Sequence, residues 1–136
     1  MTLEPPRILD ASALVQLFHG HPDLMKILKD SDLGQFSVAA PAGAVLEAQV
    51  VLKATTSMWD HFLAHRVFEL PLSGHASVEA GDLARSRLEN HPMHRVLTGP
   101  PMVGQVLREA FAMNGAIVTA IPENYGGHNV VLAILD

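Results

Sequence analysis

Apolar residues along the chain fall into two alternating modes, short solid runs and longer stretches with helical spacing. Arg7-Ile8-Leu9-Asp10 reads as a short buried strand, and Ser12 is placed to cap a helix over Ala13 to Phe18. His19-Gly20-His21-Pro22 is a break, after which Pro22 suits the first turn of a helix over Pro22 to Lys29, with Leu24, Ile27 and Leu28 on one face. A strand at Phe36-Ser37-Val38-Ala39 closes at Ala40-Pro41. Helices follow over Ala42 to Ala54 and, capped from Thr55-Thr56, over Ser57 to Arg66. Val67-Phe68-Glu69-Leu70 is a third strand, and His75 to Leu88 a further amphipathic helix. In Met102 to Met113, Val103, Val106, Leu107, Ala110 and Phe111 share one helical face, and Asn114-Gly115 ends that helix through the left-handed conformation glycine tolerates. Ala116 to Ile121 and Val130 to Leu135 are the last strands, flanking a loop from Pro122 to Asn129.

Solidly apolar strands separated by helices predict an α/β fold with a mostly parallel sheet covered on both faces. The 136 residues fit one domain spanning 1–136. With 49% apolar and 17% charged residues, the chain can bury a core and is not compositionally disordered. A net charge of -5 argues against a broad basic surface for nucleic acid, while leaving room for a local basic groove. Cysteine is absent, which excludes disulfides, thiolate metal sites and cysteine nucleophiles. Met1 to Arg7 lacks the basic and apolar regions of a secretory signal, and no apolar run approaches the ~20 residues of a membrane span, so a soluble cytoplasmic protein is expected.

Two acids stand out. Asp10 sits at the carboxyl end of the first strand, where open parallel sheets place their sites; the same position also suits a helix-capping Asp. At about 100° per residue, the helical neighbours of Glu47 are Gly43, Ala44, Val50, Val51 and Ala54, so it is expected on the core side. A carboxylate there is costly unless it is paired, bound to a metal or neutralised; the other reading is a rim residue reaching solvent.

Ile8-Leu9-Asp10-Ala11-Ser12-Ala13-Leu14, then Ala40-Pro41 and Val45-Leu46-Glu47-Ala48, then the helix Val103 to Met113 with Gly115-Ala116-Ile117-Val118-Thr119, together resemble the PIN domain family, which includes the VapC-type toxin ribonucleases. The resemblance runs in order through nearly the whole chain. It implies a three-layer α/β/α PIN-like fold with acids at the carboxyl edge of the sheet, holding Mg²⁺ or Mn²⁺ for hydrolysis of RNA. Hard cations suit carboxylates, polarise a phosphate and acidify an attacking water. Asp10 matches the first family acid and Glu47 the second. Ser12 and Thr119 match positions that shape the site beside the nucleic acid.

The chain departs from the pattern at the other acids. The third family acid lies sixteen residues before the Thr that ends the fourth strand, and here that position is Val103, flanked by Met102 and Gly104. The fourth, two residues after that Thr, is Ile121. Glu123 or Asn124 is the nearest replacement ligand. Two carboxylates in place of three or four make this a degenerate member, expected to be non-catalytic or weakly active with weak or absent metal binding and to act through macromolecular binding or regulation, with RNA or an antitoxin-like or other protein as partner and as a homodimer. The alternative is an active Mg²⁺- or Mn²⁺-dependent endoribonuclease, the toxin of a toxin-antitoxin pair, using Asp10, Glu47 and Glu123. A third reading, an unrelated small α/β binding protein, places Asp10 and Glu47 far apart, whereas the PIN-like reading brings their carboxylates together near the start of the Val103 helix. The eight histidines supply spaced pairs, His61 with His65, His91 with His94 and His19 with His21, but no full zinc signature. No nucleophile elbow, P-loop or dinucleotide fingerprint is present.

Overall fold

The computed structural model describes residues 4–63, 66–90 and 95–136; His65, His91 and His94 of the histidine pairs lie outside them. Five strands, β1 (Arg7–Leu9), β2 (Val38–Pro41), β3 (Phe68–Leu70), β4 (Ala116–Thr119) and β5 (Val131–Ile134), form one sheet in the order β3-β2-β1-β4-β5. Every pairing is parallel. Among the described residues the helices are α1 (Ala11–Phe18), α2 (Pro22–Asp32), α3 (Ala42–Leu52), α4 (Thr56–Leu63), α5 (Gly74–Asn90) and α6 (Pro100–Met113). A single 3₁₀ turn, Pro122–Tyr125, occupies the loop expected after β4.

The chain steps from β1 to β2 to β3 in one direction, then returns past both to β4. With right-handed crossovers, that reversal places the two sets of connecting helices on opposite faces of the sheet. It also makes the gap between β1 and β4 the topological switch point, beyond whose carboxyl ends such sheets carry their sites. The register aligns Leu9 with Val118, so Asp10 and Thr119 are the next residues out on adjoining strands.

The central strands are solidly apolar because both of their faces are covered: Ile8, Leu9, Val38, Ile117 and Val118 are fully buried. Burial of each such side chain stabilises the fold by about 1.5–3 kcal/mol. Against them pack Leu14 and Leu17 of α1 and Val106 and Leu107 of α6.

The close approach of α5 and α6 depends on small residues. A Cβ on Gly104 would lie 2.2 Å from the carbonyl oxygen of Ala80 and 3.0 Å from the Cβ of Ala84, so only glycine fits between these helices as they stand.

Two local expectations change. Asp10, not Ser12, is the N-cap of α1, accepting the Ala13 amide at 2.9 Å. The helical wheel of α3 does not mark its buried face either: Ala44 and Ala48 are buried, while Val50 and Val51 are 70% and 40% exposed. The helix is apolar nearly all round, so its apolar positions alone do not orient it.

Candidate functional site

Asp10 is fully buried where β1 ends. Its Oδ1 accepts from the Ser12 hydroxyl at 2.7 Å and from the Ala13 amide at 2.9 Å, and its Oδ2 accepts from the Tyr125 hydroxyl at 2.7 Å. Burial pushes the Asp10 carboxyl above the ordinary carboxylate range, against hydrogen bonds from Thr119, Ser12, Ala13 and Tyr125 that pull it down. The capping and site-acid readings of Asp10 therefore describe one residue doing both, since the cap places its carboxylate at the switch point.

Ser12 and Thr119 join the strand ends. The Ser12 hydroxyl oxygen accepts from the Ala120 amide at 2.9 Å and lies 3.3 Å from the Thr119 hydroxyl. Thr119 in turn accepts from the Ile121 amide at 2.9 Å. Both side chains are buried, so Asp10, Ser12, Thr119 and Tyr125 make one continuous polar cluster in an apolar setting.

Glu47 is half-buried and its carboxylate does meet α6, accepting from the amide of Gly99 at 2.8 Å. Gly99 is the N-cap of α6, so the charge lies at the positive end of that helix dipole. The contact is tight: a Cβ on Gly99 would lie 2.4 Å from Glu47 Oε2. Gln105, fully buried on α6, returns the service by accepting from the amide of Gly43 in the first turn of α3 at 2.6 Å and donating to the Leu70 carbonyl at 3.2 Å. Each helix thus supplies the N-terminal acceptor the other lacks.

The remaining expected positions do not add ligands. Val103 is buried on α6, and Ile121 is half-buried beyond β4. Glu123 is exposed and faces Arg95 at 3.5 Å. Asn124, by contrast, is buried next to Tyr125. Of the histidines, His21 accepts from the Asp23 amide at 3.1 Å as the cap of α2, and its Nε2 meets the main-chain oxygen of Asp136 at 3.0 Å.

A divalent cation of the Mg²⁺ or Mn²⁺ type needs several oxygen ligands with free lone pairs and open approach. Both Asp10 oxygens are engaged and shielded, and Glu47 is bound to a backbone amide. Among the described residues the one buried side-chain polar atom without a partner is Nε of Arg66, on none of these groups. Among them, too, no three His, Asp or Glu side chains gather as a cation would require. The side chains as they stand do not fit the ion that the resemblance implies.

Tyr125 and Gln105 were not singled out by sequence. The signal for Tyr125 is slight: it is the one tyrosine in the chain, in a loop after the strand that neighbours Asp10. Gln105 lies on the opposite side of α6 from Val103, Val106, Leu107 and Ala110, next to Arg108 and Glu109 on the wheel, so the apolar pattern gave no signal of its burial.

No protein-family model matches the sequence, and no curated protein matches it. Solved structures do. A chain of VapBC2 from Rickettsia felis, bound to a DNA fragment from its promoter, aligns with a TM-score of 0.68 at 21% identity, over 96% of this chain and 99% of that one. A chain of DNA-bound VapBC from Salmonella typhimurium aligns with a TM-score of 0.67 at 12% identity, over 96% and 98%. The likeness spans the whole sheet and its helices, and the chain has the PIN-like fold of the VapC type.

Proposed function

We propose that this chain is a PIN-like protein of the ribonuclease lineage that works by binding a protein partner and does not hydrolyse RNA through a divalent cation. One observation carries the reading: the second oxygen of Asp10, the acid on which such a site would be built, is closed by the buried hydroxyl of Tyr125. Apolar Val103 and Ile121 support it, since neither supplies the anionic ligand that would position a water. The neighbours in fold are toxin-antitoxin complexes, which supports an antitoxin-like partner for this chain as well. Self-association belongs to the same proposal, because Val131 and Ile134 of the edge strand β5 are 68% and 59% exposed. The single-domain organisation and a cytoplasmic setting complete it; no helix among the described residues is long and apolar enough to cross a membrane.

The test is cleavage of a mixed-sequence single-stranded RNA in Mn²⁺ and in Mg²⁺, comparing the wild type with Asp10→Asn and Glu47→Gln. The expected result is no cleavage by the wild type above either variant. Wild-type cleavage that is lost in both variants would overturn the proposal and establish the endoribonuclease reading, with Asp10, Glu47 and a further group such as Glu123 holding the ion.

A further inference from the structure

At the β3 edge of the sheet a groove of about 500 Å³ runs between α3 and the end of β3, lined by Ala42, Val45, Leu70, Pro71, Leu72 and the carboxylate-bearing Glu69. One wall is helical. Ala42, Val45 and Leu46 stand at i, i+3 and i+4 on α3, and Leu46 continues that wall outward at 72% exposure. The other wall is the end of the edge strand, where Leu72 is 39% exposed and Pro71 offers no amide for a further strand to pair with.

Glu69 is exposed, and among the described residues it makes no ion pair or hydrogen bond through its side chain. An unpaired carboxylate set in apolar walls favours a cation carried on an aliphatic stem, and it repels a phosphate backbone. The net charge of -5 draws the same kind of partner toward the molecule. We propose that this groove docks a segment of a partner protein carrying an Arg or Lys between aliphatic side chains, the cation on Glu69 and the aliphatic groups against Val45, Leu70 and Leu72. The inference rests on the partner-binding reading above and names the surface and the chemistry of the occupant.

The probe is a set of three acetylated, amidated peptides: Leu-Arg-Leu, the same with citrulline in place of Arg, and the same with Glu. Binding is followed by backbone amide NMR without any divalent cation. Citrulline keeps the shape of Arg and removes the charge. The Arg peptide is expected to shift Val45 and residues 69, 70 and 72, to bind about five-fold more tightly than the citrulline peptide, and to outcompete the Glu peptide by more. Glu69→Gln is expected to erase the preference for Arg over citrulline while leaving citrulline binding unchanged, and Leu72→Asp to weaken all three. Shifts centred elsewhere, no shifts up to about 10 mM peptide, weaker than the ~1 mM range of a minimal contact, or an Arg preference that survives Glu69→Gln would each overturn the proposal. A chain that cleaves RNA yet shows these shifts would refute the proposed function alone, and a non-cleaving chain without them would refute the groove alone.

Discussion

Replacing Tyr125 with Phe removes one oxygen atom from the corner and tests whether it is closed as described. The hydroxyl donates to Asp10 Oδ2 at 2.7 Å, with Tyr125 2% exposed and Asp10 fully buried. A hydrogen bond to a charged group contributes about 1.5–3 kcal/mol, and the space left by a hydroxyl is too small to admit a compensating water. Tyr125→Phe is therefore expected to lose about 2 kcal/mol in urea denaturation at a pH above the folded carboxyl's titration, and about 1 kcal/mol below it. The pH dependence adds a second reading of the same bond. Because burial raises the folded-state carboxyl above its unfolded value, its contribution to stability is fully present below the unfolded value and is lost as pH rises through the folded one. Tyr125 serves the ionised form, so its removal raises the folded value further, and the cost should grow as pH rises through the folded value. In an Asp10→Asn background the pH dependence from this group disappears, and the same Tyr125→Phe change should cost only about 0.5–1.5 kcal/mol, as for a neutral pair. A Tyr125→Phe protein within about 0.5 kcal/mol of wild type on both sides of the folded carboxyl's titration would refute the closed corner.

Gly104→Ala drives a Cβ to 2.2 Å from the Ala80 carbonyl, so α5 must move, and urea denaturation should register a loss of about 1–3 kcal/mol. Gly99→Ala meets only the end of the Glu47 side chain, at 2.4 Å, which can swing away; the expected cost is about 1 kcal/mol, that of a lost cap. Gln105→Ala strands the Gly43 amide and the Leu70 carbonyl together, and about 3 kcal/mol is expected from two orphaned backbone groups, with hydrogen exchange faster at the start of α3.

The fold was legible because its strands are buried on both faces and its helices are mostly separated by Pro, Gly and Thr breaks. Four strands appear where the solid apolar runs lie, shortened by one or two residues where pairing stops before the apolar run does, as at Thr119, while β2 is displaced, starting at Val38 and running on through Ala40-Pro41, where the strand was expected to have closed. What the pattern left open was side-chain direction. Glu47 was expected to need a partner, and it has one, but the partner is a backbone amide 52 residues away in sequence, which no local spacing encodes. Tyr125 lay hidden for a related reason: a one-turn 3₁₀ helix has no apolar period to read, yet it sets the hydroxyl over Asp10.

Clustered carboxylates without a cation repel one another, and each added acid raises the cost of ionising the rest. The corner described here avoids that arrangement. Asp10 has donors on both oxygens, Ser12 and Ala13 on Oδ1 and Tyr125 on Oδ2. Glu47 is drawn to the amide and the positive end of α6, where its charge is favourable without an ion. Val103 puts an apolar side chain in the first turn of α6, where the resemblance expects an acid, and it packs into the core. Apolar Val103 and Ile121 and the donors on Asp10 and Glu47 thus act in the same direction, since both lower the cost of the charges that are present. An acid placed at Val103 alone would therefore introduce a buried charge among apolar side chains, while Tyr125 still held Asp10.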